Sequence, residues 1–101
     1  MRNRAELDAI LAELVGEEHL YYQPPENVRL DYPCIVYQLA NRNPAYADDL
    51  PYNINKSYQV TYISKDPDDP IPDELSKLPM SKFNRRYVSD KLYHDVYTIF
   101  Y

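Results

Sequence analysis

Three groups of residues in this chain are of the types that do chemistry: a lone cysteine, two histidines and a dense run of carboxylates. Cys34 is the one thiol, and it follows Pro33 at the head of an apolar run. A nucleophilic cysteine needs a histidine beside it and a third group to orient that histidine. Here the surroundings read as those of a buried small hydrophobe. His19 and His94 are far apart in sequence, and nothing near either stands at ligand spacing for zinc. Asp66, Asp68, Asp69, Asp73 and Glu74 form the densest acidic cluster. A calcium loop wants alternating oxygens around a central glycine. This stretch has no glycine and is interrupted by Pro67, Pro70 and Pro72, so a solvated acidic turn is expected. The whole chain holds 1 Gly, which excludes phosphate-cradling loops and dinucleotide fingerprints. The expectation is a protein that is not an enzyme, with no catalytic residues, metal or cofactor.

The elements that carry these residues follow from periodicity. Asn3 and Glu6 form a capping-box pair. Leu7, Ile10, Leu11 and Leu14 then make one apolar stripe, which predicts a helix over about 4–16 ended by Gly16 in a left-handed cap. Residues 18–33 read as an extended proline-rich connector, and Cys34–Leu39 as a strand. Residues 41–53 read as a polar loop and Ile54–Ile63 as a second strand, with Tyr58, Val60 and Tyr62 on one face. Pro72–Leu78 suits a short helix. Phe83–Val88 and Tyr93–Tyr101 read as a closing hairpin around residues 89–92. The expected fold is α+β: one domain over 1–101, order α-β-β-α-β-β, an antiparallel four-stranded sheet with helices on one face.

The 101 residues carry 12 Tyr and a formal net charge of -5. That balance is a poor start for neutralising phosphates, so neither sequence-specific nucleic-acid binding nor an anionic membrane is expected. No apolar run approaches the roughly 18 residues of a membrane span. Glu6, Asp8 and Glu13 break any secretory signal, which points to synthesis in a cytosol.

The tyrosines admit two readings, a core whose hydroxyls find partners and an interface with other chains. Tyr58 and Tyr62 suit the core. Tyr93, Tyr97 and Tyr101 alternate with His94, Val96, Thr98 and Phe100, so both faces of the last strand carry rings. Such a strand is sandwiched or covered by another subunit. Charge is also polarised: Lys82, Arg85, Arg86 and Lys91 near the last hairpin, Asp66, Asp68 and Asp69 on the acidic turn. These are either unrelated solvated surfaces or opposite poles that meet head to tail between copies.

From residue 58 on, the chain resembles small head–tail joining proteins of tailed bacteriophages and prophages of Gram-positive hosts, of the minor capsid, tail terminator or tail completion type. The resemblance lies in a strand Tyr58–Ile63 leading into D-P-x-x-x-I-P (Asp66–Pro72), and a helix ending in Leu78-Pro79. It continues in F-x-R-x-Y (Phe83, Arg85, Tyr87) and D-x-L-x-H-D-V-Y (Asp90–Tyr97), and Tyr32–Leu39 resembles the family's first strand. It implies a structural virion protein of the neck, made in the bacterial cytoplasm, that assembles as a ring of six. The ring caps the tail-tube protein and presents a surface to the head connector or stopper. Under that reading Arg85, Arg86, Tyr87, Lys91, Tyr93, Tyr97, Tyr101, Asp66, Asp68 and Asp69 are expected at subunit or partner interfaces. Tyr46, Asp48, Asp49 and Tyr52 are expected on a partner-contact loop. The alternative is a small acidic monomeric adaptor of bacterial origin.

Overall fold

A computed structural model describes residues 4–44, 54–78 and 81–100. The first helix, α1, spans Arg4–Val15. Its apolar stripe buries Leu7 and Leu11 completely and sets Leu14 against the same core. Gly16 ends it at φ 89 and ψ 149, a region open in practice only to glycine, rather than in the left-handed helical cap expected. A Cβ at this position would meet nothing closer than 3.6 Å, so only the backbone resists a side chain. Gly16→Ala is expected to cost about 1–2 kcal/mol in thermal unfolding, and an unchanged melting temperature would contradict this.

A single 3-10 turn (Glu17–His19) leads into β1 (Leu20–Tyr22), followed by β2 (Cys34–Pro44) and β3 (Ile54–Ser64). Then come α2 (Ile71–Lys77), β4 (Ser81–Ser89) and β5 (Leu92–Phe100). The sheet is five-stranded and mixed, in the order β1-β2-β3-β5-β4. This corrects the expected four-stranded antiparallel sheet and its element order. The added strand is β1, three residues inside the supposed connector, running parallel to β2 through Leu20↔Ile35, Tyr21↔Val36 and Tyr22↔Tyr37. The other pairings are antiparallel. A second correction concerns residues 41–44, which continue β2 instead of belonging to a loop.

Register decides what each face carries, because side chains alternate. One face bears Tyr22, Ile35, Tyr37, Tyr58, Val60, Tyr62, Tyr97 and Ile99, and both helices cover it through Leu7, Leu11 and Leu75. On the other face a smaller cluster of Cys34, Ile63 and Leu92 gathers Tyr21, Leu30 and Val36. Elsewhere on that face Gln38, Gln59 and Phe100 are exposed, while Ser57 and Val96 are buried.

The rings of the main core find polar partners within the chain. Tyr37 donates its hydroxyl to Asp8 of α1 and accepts from Arg4 at 3.3 Å. Arg4 also lies 4.1 Å over the Tyr22 ring, so one tyrosine pair holds the first turn of α1 to the sheet. Tyr62 donates to Asp69 Oδ2 at 2.8 Å. Tyr97 donates to the Pro72 carbonyl at 2.7 Å and accepts from Ser76 Oγ at 3.2 Å, which ties α2 to β5. A buried phenol with a satisfied hydroxyl is a stable core residue. Four tyrosines, Tyr37, Tyr58, Tyr62 and Tyr97, are therefore hidden by a single chain, and the abundance of tyrosine does not by itself demand a second copy.

Candidate assembly surface

The β4–β5 hairpin carries most of the residues singled out by sequence. Its turn is Asp90-Lys91, with φ 52 and 64, the two-residue geometry that matches strand twist. A register shift between Phe83 and Arg85 places the remaining residues. Phe83 packs edge-on against Tyr97 at 5.3 Å, and Arg86 pairs with Asp95, both on the helix-covered side. Arg85 and Tyr87 fall on the open side, opposite Val96 and His94.

Arg86 forms a fork with Asp95, Nε to Oδ1 at 2.6 Å and Nη2 to Oδ2 at 3.0 Å. Its third contact is Nη1 to the Pro67 carbonyl at 3.0 Å, and its guanidinium lies 5.4 Å from the Tyr93 ring. Arg86 thus ties the hairpin to the turn 66–69 through a backbone carbonyl, while its carboxylate partner is Asp95 of β5. The acidic turn is organised the same way. Asp66 Oδ1 accepts from Asp68 N–H, Asp69 Oδ1 accepts from Ile71 N–H at the start of α2, and Ser64 Oγ accepts from Asp66 N–H, each at 2.9 Å. Asp66, Asp69 and Arg86 are therefore fold residues, Tyr97 is a core residue, and Tyr93 is half-buried. Asp68 is exposed.

What remains outward is an aromatic and cationic strip. The Tyr87 ring stacks on His94 at 4.6 Å and 11°, and Arg85 caps the stack 5.4 Å from the Tyr87 ring. Asn84 donates to Thr98 Oγ1 at 2.8 Å on the same face. Lys82, Arg85, Lys91 and Phe100 are exposed around it. Sequence reasoning missed Phe83, Val88 and Phe100 as exposed apolar groups. The signal was in β4 itself, whose apolar residues follow no two-residue alternation, as suits an edge strand open on both sides. Tyr46, Asp48, Asp49, Tyr52 and Tyr101 lie outside the described residues.

The second surface is a ribbon. The last β3–β5 pair is Ser57↔Phe100, yet β2 and β3 pair onward through Arg42↔Lys56, Asn43↔Asn55 and Pro44↔Ile54. This two-stranded arm runs past the sheet at the end remote from the β4–β5 turn.

Among the described residues no group of three or more His, Cys, Asp or Glu is placed to hold a metal ion, and no helix is long and apolar enough to cross a membrane. Burial, and secondarily Asp31, pushes the Cys34 thiol from 9.0 up to about 11. Burial likewise raises the Tyr37, Tyr62 and Tyr97 phenols. Because its folded value is raised, the stability linked to the Cys34 thiol is whole below pH 9 and is lost as the pH climbs through about 11. Denaturant unfolding between pH 8 and 11 is expected to show a loss of about 2 kcal/mol from Cys34 alone, and a flat profile would contradict it.

Comparison with protein-family models, with curated proteins and with solved structures returned no match.

Proposed function

We propose that this chain is a non-enzymatic structural protein of a tailed-phage or prophage neck. It assembles as a ring at the head-proximal end of the tail tube and joins tube to head connector. The likeness over Tyr32–Leu39 and Tyr58–Tyr97 motivates the reading. One structural observation supports it: the groups that would do chemistry are taken up by the fold, while the β2–β3 ribbon and the β4–β5 strip are left outward at opposite ends of one sheet. Two unlike surfaces at opposite ends suit a head-to-tail contact, which closes into a ring when the rotation fits. The ring itself works by shape and charge complementarity.

The monomeric adaptor remains a reading with an observation in its favour, since the core is complete within one chain. Deleting the gene from its phage or prophage separates the two. The neck reading expects heads and tails that fail to join, with tails of unregulated length, and restoration by the wild-type gene in trans. Normal joined particles from the deletion would overturn it.

A further inference from the structure

We propose that copies of this chain join by edge pairing, β1 of one copy adding antiparallel to β4 of the next and extending the sheet. The inference rests on the ring reading and names the strand contact within it.

The sheet ends laterally on β1 and β4, and among the described residues neither has a second partner strand. β4 is nine residues long, and a long open edge is a template for another strand. The hairpin decides which of its backbone groups face out. Asp90-Lys91 is a two-residue turn, so Ser89↔Leu92 closes it as a hydrogen-bonded pair. By alternation Tyr87 turns its N–H and C=O toward β5, while Arg86 and Val88 turn theirs outward. On β1, Gln23 N–H donates to the Tyr37 carbonyl at 2.9 Å. Alternation then points the backbone groups of Tyr21 at β2 and those of Leu20 and Tyr22 away from it. One of these is already used, since Leu20 N–H donates to the Glu17 carbonyl.

The two edges match. With Tyr22 opposite Arg86, these residues exchange two backbone hydrogen bonds, and Val88 N–H donates to the Leu20 carbonyl. The side chains share a face in that register. Leu20 and Tyr22 pack against the helix-covered cluster, and Arg86 and Val88 lie on the same side, opposite Asp95 and Tyr93. Val88, 60 % exposed, would be covered by Leu20 of the next copy. Direction agrees as well. β1 runs parallel to β2 and each later pairing is antiparallel, so β1 and β4 run in opposite directions. A neighbour turned about an axis along the strands therefore presents β1 antiparallel to β4. The contact uses different surfaces on the two partners, as a ring requires.

Charge selects the partner. β4 carries Lys82, Arg85 and Arg86 with no carboxylate, and Lys91 follows in the turn beside Asp90. The residues leading into β1 are Glu17 and Glu18, both exposed. The register brings them to the β4–β5 turn and Lys91. Pairing β4 with β4 across a two-fold axis would instead bring Arg85 and Arg86 of both copies together, like charge on like.

The test is a disulfide between positions 20 and 88. Within one chain β1 and β4 are four strand spacings apart, about 19 Å, so the link forms only between copies. Directly opposite residues of a hydrogen-bonded pair are about 5.5 Å apart between Cα atoms, within disulfide reach. Chains carrying Leu20→Cys and Val88→Cys are mixed under oxidising conditions, alone and on purified tail tubes, after circular dichroism melts confirm folding. Non-reducing electrophoresis is expected to show the 20–88 dimer at least tenfold above any dimer of either chain alone. Val88→Pro removes an outward N–H that β5 does not use, as an edge strand tolerates. It is expected to raise the concentration for assembly at least tenfold by mass photometry, with the fold retained. Wild-type multimers whose variants give no 20–88 link would overturn this inference and leave the ring reading standing. Val88→Cys chains that link to themselves as efficiently as the mixture would reassign the edge to two-fold β4 pairing and overturn the inference. A wild-type chain that stays single, with and without tubes, would overturn both.

Discussion

Replacing Tyr97 by alanine is expected to lower the unfolding free energy by about 4 kcal/mol in the isolated chain, at concentrations where no multimer forms. The ring is 1 % exposed, packs against Phe83 and sits in the cluster beneath both helices. Truncation removes that burial and leaves a cavity between β5 and α2. It also removes a hydrogen bond from the Pro72 carbonyl and one from the Ser76 hydroxyl, which keep the 3.0 Å bond between themselves. Tyr97→Phe keeps the packing and isolates the hydroxyl, for an expected loss of about 1 kcal/mol. Each kcal/mol displaces the midpoint by about 4–8 °C in a domain of this size, so differential scanning calorimetry resolves the two variants. If Tyr97→Ala left the melting temperature intact and abolished only assembly, the residue would be an interface residue and the core assignment would fail.

The second large effect is expected at the Arg86–Asp95 pair. Asp95 is 3 % exposed, and both of its oxygens accept from one guanidinium. Arg86→Met strands a carboxylate among Tyr62, Tyr97 and β4, and the expected cost is about 3 kcal/mol. Part of the guanidinium reaches solvent, so the pair itself contributes less than the penalty of breaking it. The double variant Arg86→Met/Asp95→Leu removes the stranded charge as well as its partner. It is expected to recover most of the loss, apart from the tether to the Pro67 carbonyl. Denaturant unfolding of the two single variants and the double variant closes a mutant cycle. A double variant as unstable as Arg86→Met would show that lost packing, not an unpaired charge, sets the cost.

The parts of the fold that were legible in the sequence are those with a repeating period. The stripe Leu7, Leu11, Leu14 located α1, and the alternation Tyr58, Val60, Tyr62 located β3 with its buried face. The proline at the start of α2 and the acids in its first turn located that helix. What was not legible lacks a period. β1 is three residues long, and its parallel partner lies across an eleven-residue crossover, 23–33, so no local pattern marks it. Residues 41–44 read as loop because Asn, Arg and Pro disfavour strands, yet pairing with 54–57 keeps them extended.

The candidate surface was legible in composition and illegible in direction. Sequence named Arg85, Arg86, Tyr87, Tyr93 and Tyr97 together because they share one hairpin. The register shift between Phe83 and Arg85 then sends those two residues to opposite faces and leaves Arg86, not Arg85, on the same side as Phe83. Arg85 and Tyr87 turn outward to the strip, while Arg86 and Tyr97 turn toward the covered side. No rule of alternation anticipates a bulge at that step, because its neighbours Asn84, Arg85 and Arg86 are all polar. Arg86 reaches the backbone of the turn 66–69 for the same reason, since it lies on the covered side.

The proposed neck role requires a chain with a self-sufficient core to close into a ring through surfaces at its two ends. Mass photometry of the 12.0 kDa chain, alone and bound at the ends of purified tail tubes, tests it directly. The neck reading predicts one discrete multimer of six chain masses, sited at one end of each tube. A single-chain species under both conditions, with tube ends unoccupied, would contradict it.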